Sequence, residues 1–415
     1  MRIQRVLGQN SQLQQNVKSF IKAVSTPFSL NYSSNVDKNN DHIAFDFGTS
    51  KLNVASMDQN NQPKVIHTQP FTVPVNFEVD GYHISDQVVM TVRHFIGRKF
   101  VDSVVQKEIK KGPFKIDSGH DGGVAIKVCD GELCNPTTIL REFLEKAKKE
   151  AELYLGKSVS RAVITHPSVF DGVQLREMVK AGLGAGFQLI HNIDETTATA
   201  IAYGMFKKEK GCLFVVVDMG FRSFDVTLME ISDSGRIKFK WETKSDISFG
   251  GDDFDIALKN YFASEYIMCE RTKSFVRDNM WGRGTRFSEM CKKALSSEFE
   301  IKFNVPMIVP GQPMRVLEDT TLSRSKFESI VNPLIVRIKN QIESYLEETG
   351  TNPKDVDEVL LVGGMARVPK IRKVVSQIFG KSPKRGVNGL DEAVALGAAA
   401  AVQAGHFGED PWNSN

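Results

Sequence analysis

The sequence predicts an α/β protein of two lobes with helices covering its sheets, and three observations carry that reading. HIAFDFGTSKLNVASM (42–57) reads as a strand ended by an acid, a glycine turn and a returning strand. CLFVVVDMGFRSFDVTLMEI (212–231) repeats the layout, as one unit used once in each lobe. Long stretches of helical periodicity, TTILREFLEKAKKEAELYLG (137–156) and FESIVNPLIVRIKNQIESYLEE (327–348), lie between the strands.

Ahead of these elements the chain carries Arg2, Arg5, Lys18 and Lys22 and no acid before Asp37. Val17, Phe20, Ile21 and Val24 fall at helical spacing there. Basic, serine-rich and acid-poor composition is that of a mitochondrial transit peptide, expected over residues 1–38. A disordered tail has the same composition. No stretch approaches the roughly 20 apolar residues that span a bilayer. The net charge of +3 is spread along the chain and points to no nucleic-acid surface. The cysteines are scattered and odd in number, so reduced thiols are expected, and Cys129 with Cys134 makes only half a zinc site.

The two acid-ended strands carry Asp46 and Asp218. Facing each other, these carboxylates would hold a magnesium ion through water, since that ion keeps most of its hydration shell. Backbone amides of the glycine turns, with two more at SFGGDDFD (248–255) and LVGGMARVPK (361–370), would meet phosphates. A lone strand–Asp–Gly turn is more simply a tight hairpin. Two matched hairpins together with two Gly-Gly turns favour a nucleotide site.

Seven stretches in order resemble motifs of one family: FDFGTS, AVITHPSVFDGVQLREMVKAGLGAG, NIDETTATAIAYG (192–204), SFGGDDFD, EMCKKALSS (289–297), VLLVGGMARVPKIRKV and LDEAVALGAAAAVQAG (390–405). The family is that of the heat shock protein 70 chaperones, actin-like ATPases, and the likeness is to their nucleotide-binding domain. It implies a two-lobed actin-like fold over 42–407, with lobe I at 42–208 and 386–407, lobe II at 209–385, and a short tail at 408–415. It implies ATP or ADP with Mg2+ in the cleft between the lobes. By the resemblance Gly48, Thr49 and Ser50 supply the first phosphate loop, Gly220 and Ser223 the second, and Gly250 and Gly251 a further signature. Asp46 and Asp218 would hold the hydrated metal, and Glu195, with Asp218, would organise the catalytic water. Glu289, Lys292, Lys293 and Ser296 would line the adenosine, with Gly363, Gly364 and Arg367 on the opposite wall and Asp391 on the ribose side.

Three departures shape the functional expectation. The family's second phosphate loop is glycine-rich, whereas Phe221 and Arg222 stand here, and bulky residues hold a backbone away from an anion. Arg222 is expected to offset some phosphate charge in return. The family also places a lysine at the phosphoryl-transfer site. In HISDQVVMTVRHFIGRKF (83–100) Val89 is expected in its place, in a segment about ten residues short, and such a loss costs on the order of a hundredfold in rate. Met365 replaces a small polar residue beside the adenine wall, and no peptide-binding domain is expected after residue 407. The expected function is a nucleotide-binding module with impaired or absent hydrolysis, acting in the mitochondrial matrix through protein partners, co-chaperone-like or subunits of a complex. A structural subunit of a large mitochondrial assembly and an active chaperone ATPase are the rival readings.

Overall fold

The computed structural model describes residues 42–48, 52–67, 78–79, 82–83, 92–111, 116–127, 133–266, 283–307, 315–384, 392–404 and 406–407. The stretch read as a transit peptide, the tail at 408–415, and Thr49, Ser50, Val89 and Asp391 lie outside the described residues.

The repeated unit is present in both halves. β1 (His42–Phe47) and β2 (Leu52–Met57) are buried along their whole length, so neither shows the alternation of a one-sided strand. They pair antiparallel with Asp46 opposite Asn53. β3 (Pro63–His67) extends the hairpin on the β2 side. Next come the short pair β4 (Glu78–Val79) and β5 (Tyr82–His83), a 3-10 turn at Arg93–Phe95, helix α1 (Ser103–Lys111), and a small sheet of β6 (Ile116–Ser118), β7 (Val124–Lys127) and β8 (Leu133–Cys134). α2 (Pro136–Leu155) starts on the Asn135 cap with proline at its first position and ends on Gly156 in the left-handed conformation. β9 (Arg161–His166), α3 (Gly172–Gly184), β10 (Leu189–Asp194) and α4 (Glu195–Ala202) complete this half. The sheet runs β10-β9-β1-β2-β3, with β9 parallel to both β1 and β10.

The second half begins with β11 (Leu213–Met219) and β12 (Phe224–Ile231), an antiparallel hairpin with Asp218 opposite Asp225. β13 (Ile237–Phe239) and β14 (Lys244–Asp246) both pair with β12. α5 (Gly251–Tyr266) and α6 (Arg283–Ser297) precede the ribbon of β15 (Glu300–Met307) and β16 (Arg315–Ser323). The periodic stretch 327–348 forms two helices, α7 (Arg324–Ile330) and α8 (Asn332–Glu348). Pro333 enters at the start of α8, where its missing N–H costs nothing, and the chain turns at Val331. β17 (Glu358–Val362) lies parallel to β11, and α9 (Pro369–Phe379) and α10 (Ala393–Ala400) close the chain. Each half thus places a hairpin beside a parallel strand, β2-β1-β9 in one and β12-β11-β17 in the other.

Two large apolar clusters fill the outer sides of the sheets. One gathers Phe45, Phe47, Phe143 and Phe187 beneath α2 and α3, and the other packs α5, α8 and α9 against β11, β12 and β17. On the inner sides α10 lies on β1, β2, β3 and β9, while α4 touches β11 and crosses α10. The crossing is made of small residues. A Cβ added at Gly397 would stand 1.7 Å from the carbonyl oxygen of Ala198, so only glycine fits.

Candidate nucleotide site

Asp46 is the penultimate residue of β1 and Asp218 of β11, so the same strand position in each half presents a carboxylate. Asp46 is buried and accepts from Asn53 Nδ2 at 3.1 Å and from Thr165 Oγ1 at 3.2 Å. Asp218 keeps some surface open while lying deep in the protein, and Gly363 presses against it. Gly363 has φ of +81°, and a Cβ there would meet Met219 O at 2.3 Å and Asp218 Oδ1 at 2.6 Å. Glycine is required twice over, by conformation and by space.

Glu195 opens α4. Asp194 caps that helix by accepting from Thr197 N at 2.7 Å, which sets Glu195 in the first turn where the helix dipole favours an acid. Its carboxylate is ion-paired with Arg93, a contact absent from the sequence expectations. The Arg93 guanidinium is buried and also donates to Phe47 O at the end of β1. The 3-10 turn that carries Arg93 is fixed from behind. Gly97, at φ +69°, lies so close to α3 that a Cβ would reach Gln174 Cα at 2.9 Å, and Gln174 Nε2 donates to Ile96 O at 3.3 Å.

Four acids therefore converge. Burial first, then the charge of Glu195, pushes Asp46 up to about 6, while Asn53, Arg93 and Thr165 pull the other way. Burial pushes Asp225 up to about 7, with Ser245 opposing and Glu195 adding. Asp218 is raised well above the usual carboxylate range by burial and then by Glu195, Asp225 and Asp46. Such a concentration of negative charge is relieved by a cation, and Arg93 relieves only part of it. Among the described residues no cluster of three or more His, Cys, Asp or Glu side chains is close enough to ligate an ion directly. The donors present instead fit a divalent ion held through its own waters, with Asp46 and Asp218 as the outer acceptors.

The second loop is a closed four-residue turn, in which Gly220 N donates to Ser223 O at 3.0 Å. It is tied to the start of α5, where Gly251 N donates to Gly220 O at 3.0 Å and Asp252 N to Phe221 O at 2.8 Å. Gly250 leaves no room for a Cβ, which would stand 2.5 Å from Phe221 O. The SFGGDDFD stretch is thus the seat of this turn and the start of a helix. Arg222 is not placed to offset phosphate charge as expected, for it is buried against Glu108 and Asp252.

On the adenosine side the structure redistributes the expected contacts. Lys292 does not stand on a solvated face: its ammonium is buried and donates to Asp255 Oδ2 at 2.8 Å and Gly251 O at 2.9 Å. Asp255 is nonetheless pushed up to about 7, because burial outweighs Lys292. Glu289 pairs with Lys293 at 2.7 Å one helical turn on, and Ser296 Oγ donates back to Lys292 O at 3.1 Å. Gly48 follows β1, Gly364 and Arg367 lie exposed on a 3-10 turn, and Met365 is turned into the core with its sulfur against Gly251. Glu195, Asp46 and Asp218 lie near enough that the charge of Glu195 acts on both aspartates. Arg93, Asn53, Thr165, Asp225 and Glu108 were missed; the hairpin register points to Asn53 and Asp225, while nothing local to Arg93 marks it.

No described helix is long and apolar enough to cross a membrane. The "Hsp70 protein" family model matches residues 82–410. The chain is 40% identical over 376 residues to "Heat shock 70 kDa protein, mitochondrial" of Solanum tuberosum, covering 87% of this chain and 54% of that protein. It is 40% identical over 379 residues to the protein of the same name from Pisum sativum, covering 87% of this chain and 55% of the relative. The chain therefore spans about half the length of these relatives. Paired aspartate hairpins, a capped Glu195 and a family match across most of the sequence converge on one conclusion: the chain belongs to the Hsp70 family.

Proposed function

We propose that this chain is a mitochondrial Hsp70-type module that binds ATP or ADP with Mg2+, hydrolyses slowly, and acts through protein partners. One observation carries the slow hydrolysis: Glu195, the carboxylate expected to organise the attacking water, is engaged by Arg93, which is itself anchored on Phe47 O. The cation that the sequence seemed to lack is supplied by Arg93, so impairment rests on how that charge is spent rather than on its loss. A planar guanidinium fixed by two buried partners is less able than a mobile ammonium to turn toward a phosphate. Binding itself is supported by the cluster of mutually repelling carboxylates and the glycine contacts around Asp218. The mitochondrial setting follows the names of the relatives.

Equilibrium titration and single-turnover hydrolysis test the reading. Stoichiometric binding with less than about a tenfold preference, or 1.4 kcal/mol, between ATP and ADP is expected. Turnover is expected on the order of a hundredfold below that of lysine-bearing relatives, with Arg93→Lys recovering about tenfold. A wild-type rate equal to theirs would remove the impairment from the proposal. An empty site under saturating Mg-ATP would favour the scaffold reading, which draws its own support from the buried Arg222 contacts.

A further inference from the structure

The second turn carries an arginine for which nucleotide binding has no use. Arg222 is 3% exposed. Its Nη2 lies 2.9 Å from Glu108 Oε2 and its Nε 3.5 Å from Asp252 Oδ2. Asp252 belongs to the same half as Arg222, at the start of α5, but Glu108 stands on α1 in the other half. The Glu108 side chain is 1% exposed, and its oxygens lie off the line of a directional hydrogen bond, so charge holds the pair. The neighbouring His94 adds no competing cation. Burial first, then Arg93, Arg222 and Arg98, holds its imidazole well below the usual range and therefore neutral.

Ions this deep have given up their hydration, so separating them without solvent leaves an uncompensated buried charge. The backbone of the turn is held as well, by the bonds from Gly251 and Asp252 and by the close seat of Gly250. Arg222 thus reaches the other half from a fixed base. A turn of glycines would leave contact at this point to whatever anion it cradled; here a carboxylate of the chain takes that part.

We propose that Arg222 is an internal clasp joining α1 of one half to the second turn of the other, which closes this side of the cleft whether or not nucleotide is bound. The test is hydrogen–deuterium exchange of the full chain stripped of nucleotide, read at 103–111 and 213–231. Wild type, Arg222→Met, Arg222→Lys, Glu108→Gln and the Arg222→Met/Glu108→Gln double variant are compared. Arg222→Met keeps the bulk and loses the charge, and should speed exchange in both segments at least tenfold. Glu108→Gln should do the same, the double variant no more than either, and Arg222→Lys should keep most of the protection. Effects that add in the double variant, equal behaviour of the Met and Lys variants, or protection that appears only after Mg-ATP would overturn the clasp. Should Arg222→Met not fold, Glu108→Gln against wild type carries the same comparison. Because the reading is taken without nucleotide, the clasp and the binding proposal stand or fall separately.

Discussion

Asp225 shows how the chemistry of single residues sets the behaviour of the site. Asp46 at about 6 and Asp225 at about 7 hold protons that the unfolded chain, titrating near 3.9, releases earlier. The native state therefore binds more protons between about pH 4 and pH 7, and stability declines as pH rises through that window. Above it the full penalty of the ionised cluster is present. Asp225→Asn should raise the melting temperature of EDTA-treated protein at pH 7.5 and flatten its pH dependence from 4 to 7. An unchanged slope would assign the penalty to other groups. At this scale Asp46 and Asp218 were legible because each closes a strand ahead of a glycine turn, whereas Glu195 was reached only through the family resemblance of NIDETTATAIAYG. Arg93 was not legible, since its role depends on a turn folding back over the end of β1. Arg222 was visible as a departure, but its partner Glu108 lies 114 positions away, and no local pattern joins them.

The hairpins and helices themselves were read with boundaries close to those observed: 42–57 resolves into β1 and β2, 212–231 into β11 and β12, and 137–156 into α2. The misreading has a physical source in local backbone chemistry within an apolar rhythm. Periodicity runs unbroken through 327–348 although Pro333 starts a new helix. At this level the turns between elements are the sensitive points. Gly363→Ala puts a Cβ against Met219 O at a positive φ, and Gly250→Ala puts one against Phe221 O. Overpacking of this kind costs typically 1–3 kcal/mol, so each variant should lower the denaturation midpoint measurably. Gly363→Ala should also weaken Mg-ATP binding, because relief of the clash moves Asp218. Wild-type stability and affinity in both variants would show that the close seats are not required.

Across the whole molecule, the two halves share an actin-like ATPase arrangement, and α4 and α10 cross on the inner side of the first sheet, with α4 also touching β11. The α4–α10 contact was not legible, because a run of alanines and glycines signals a helix without saying what touches it. Gly397→Ala should cost more than the turn variants, since the added carbon would overlap the Ala198 carbonyl outright. A melting temperature within a degree of wild type would contradict that ranking. In mechanical terms the missing side chain leaves a socket and the Ala198 carbonyl is a peg seated in it. A peg in a socket resists sliding along either helix axis while leaving rotation about the contact open, because no interlocked side chains need to disengage. Relative motion of these two helices is thereby reduced to a swing about that contact, and the helix ends farthest from it would travel most.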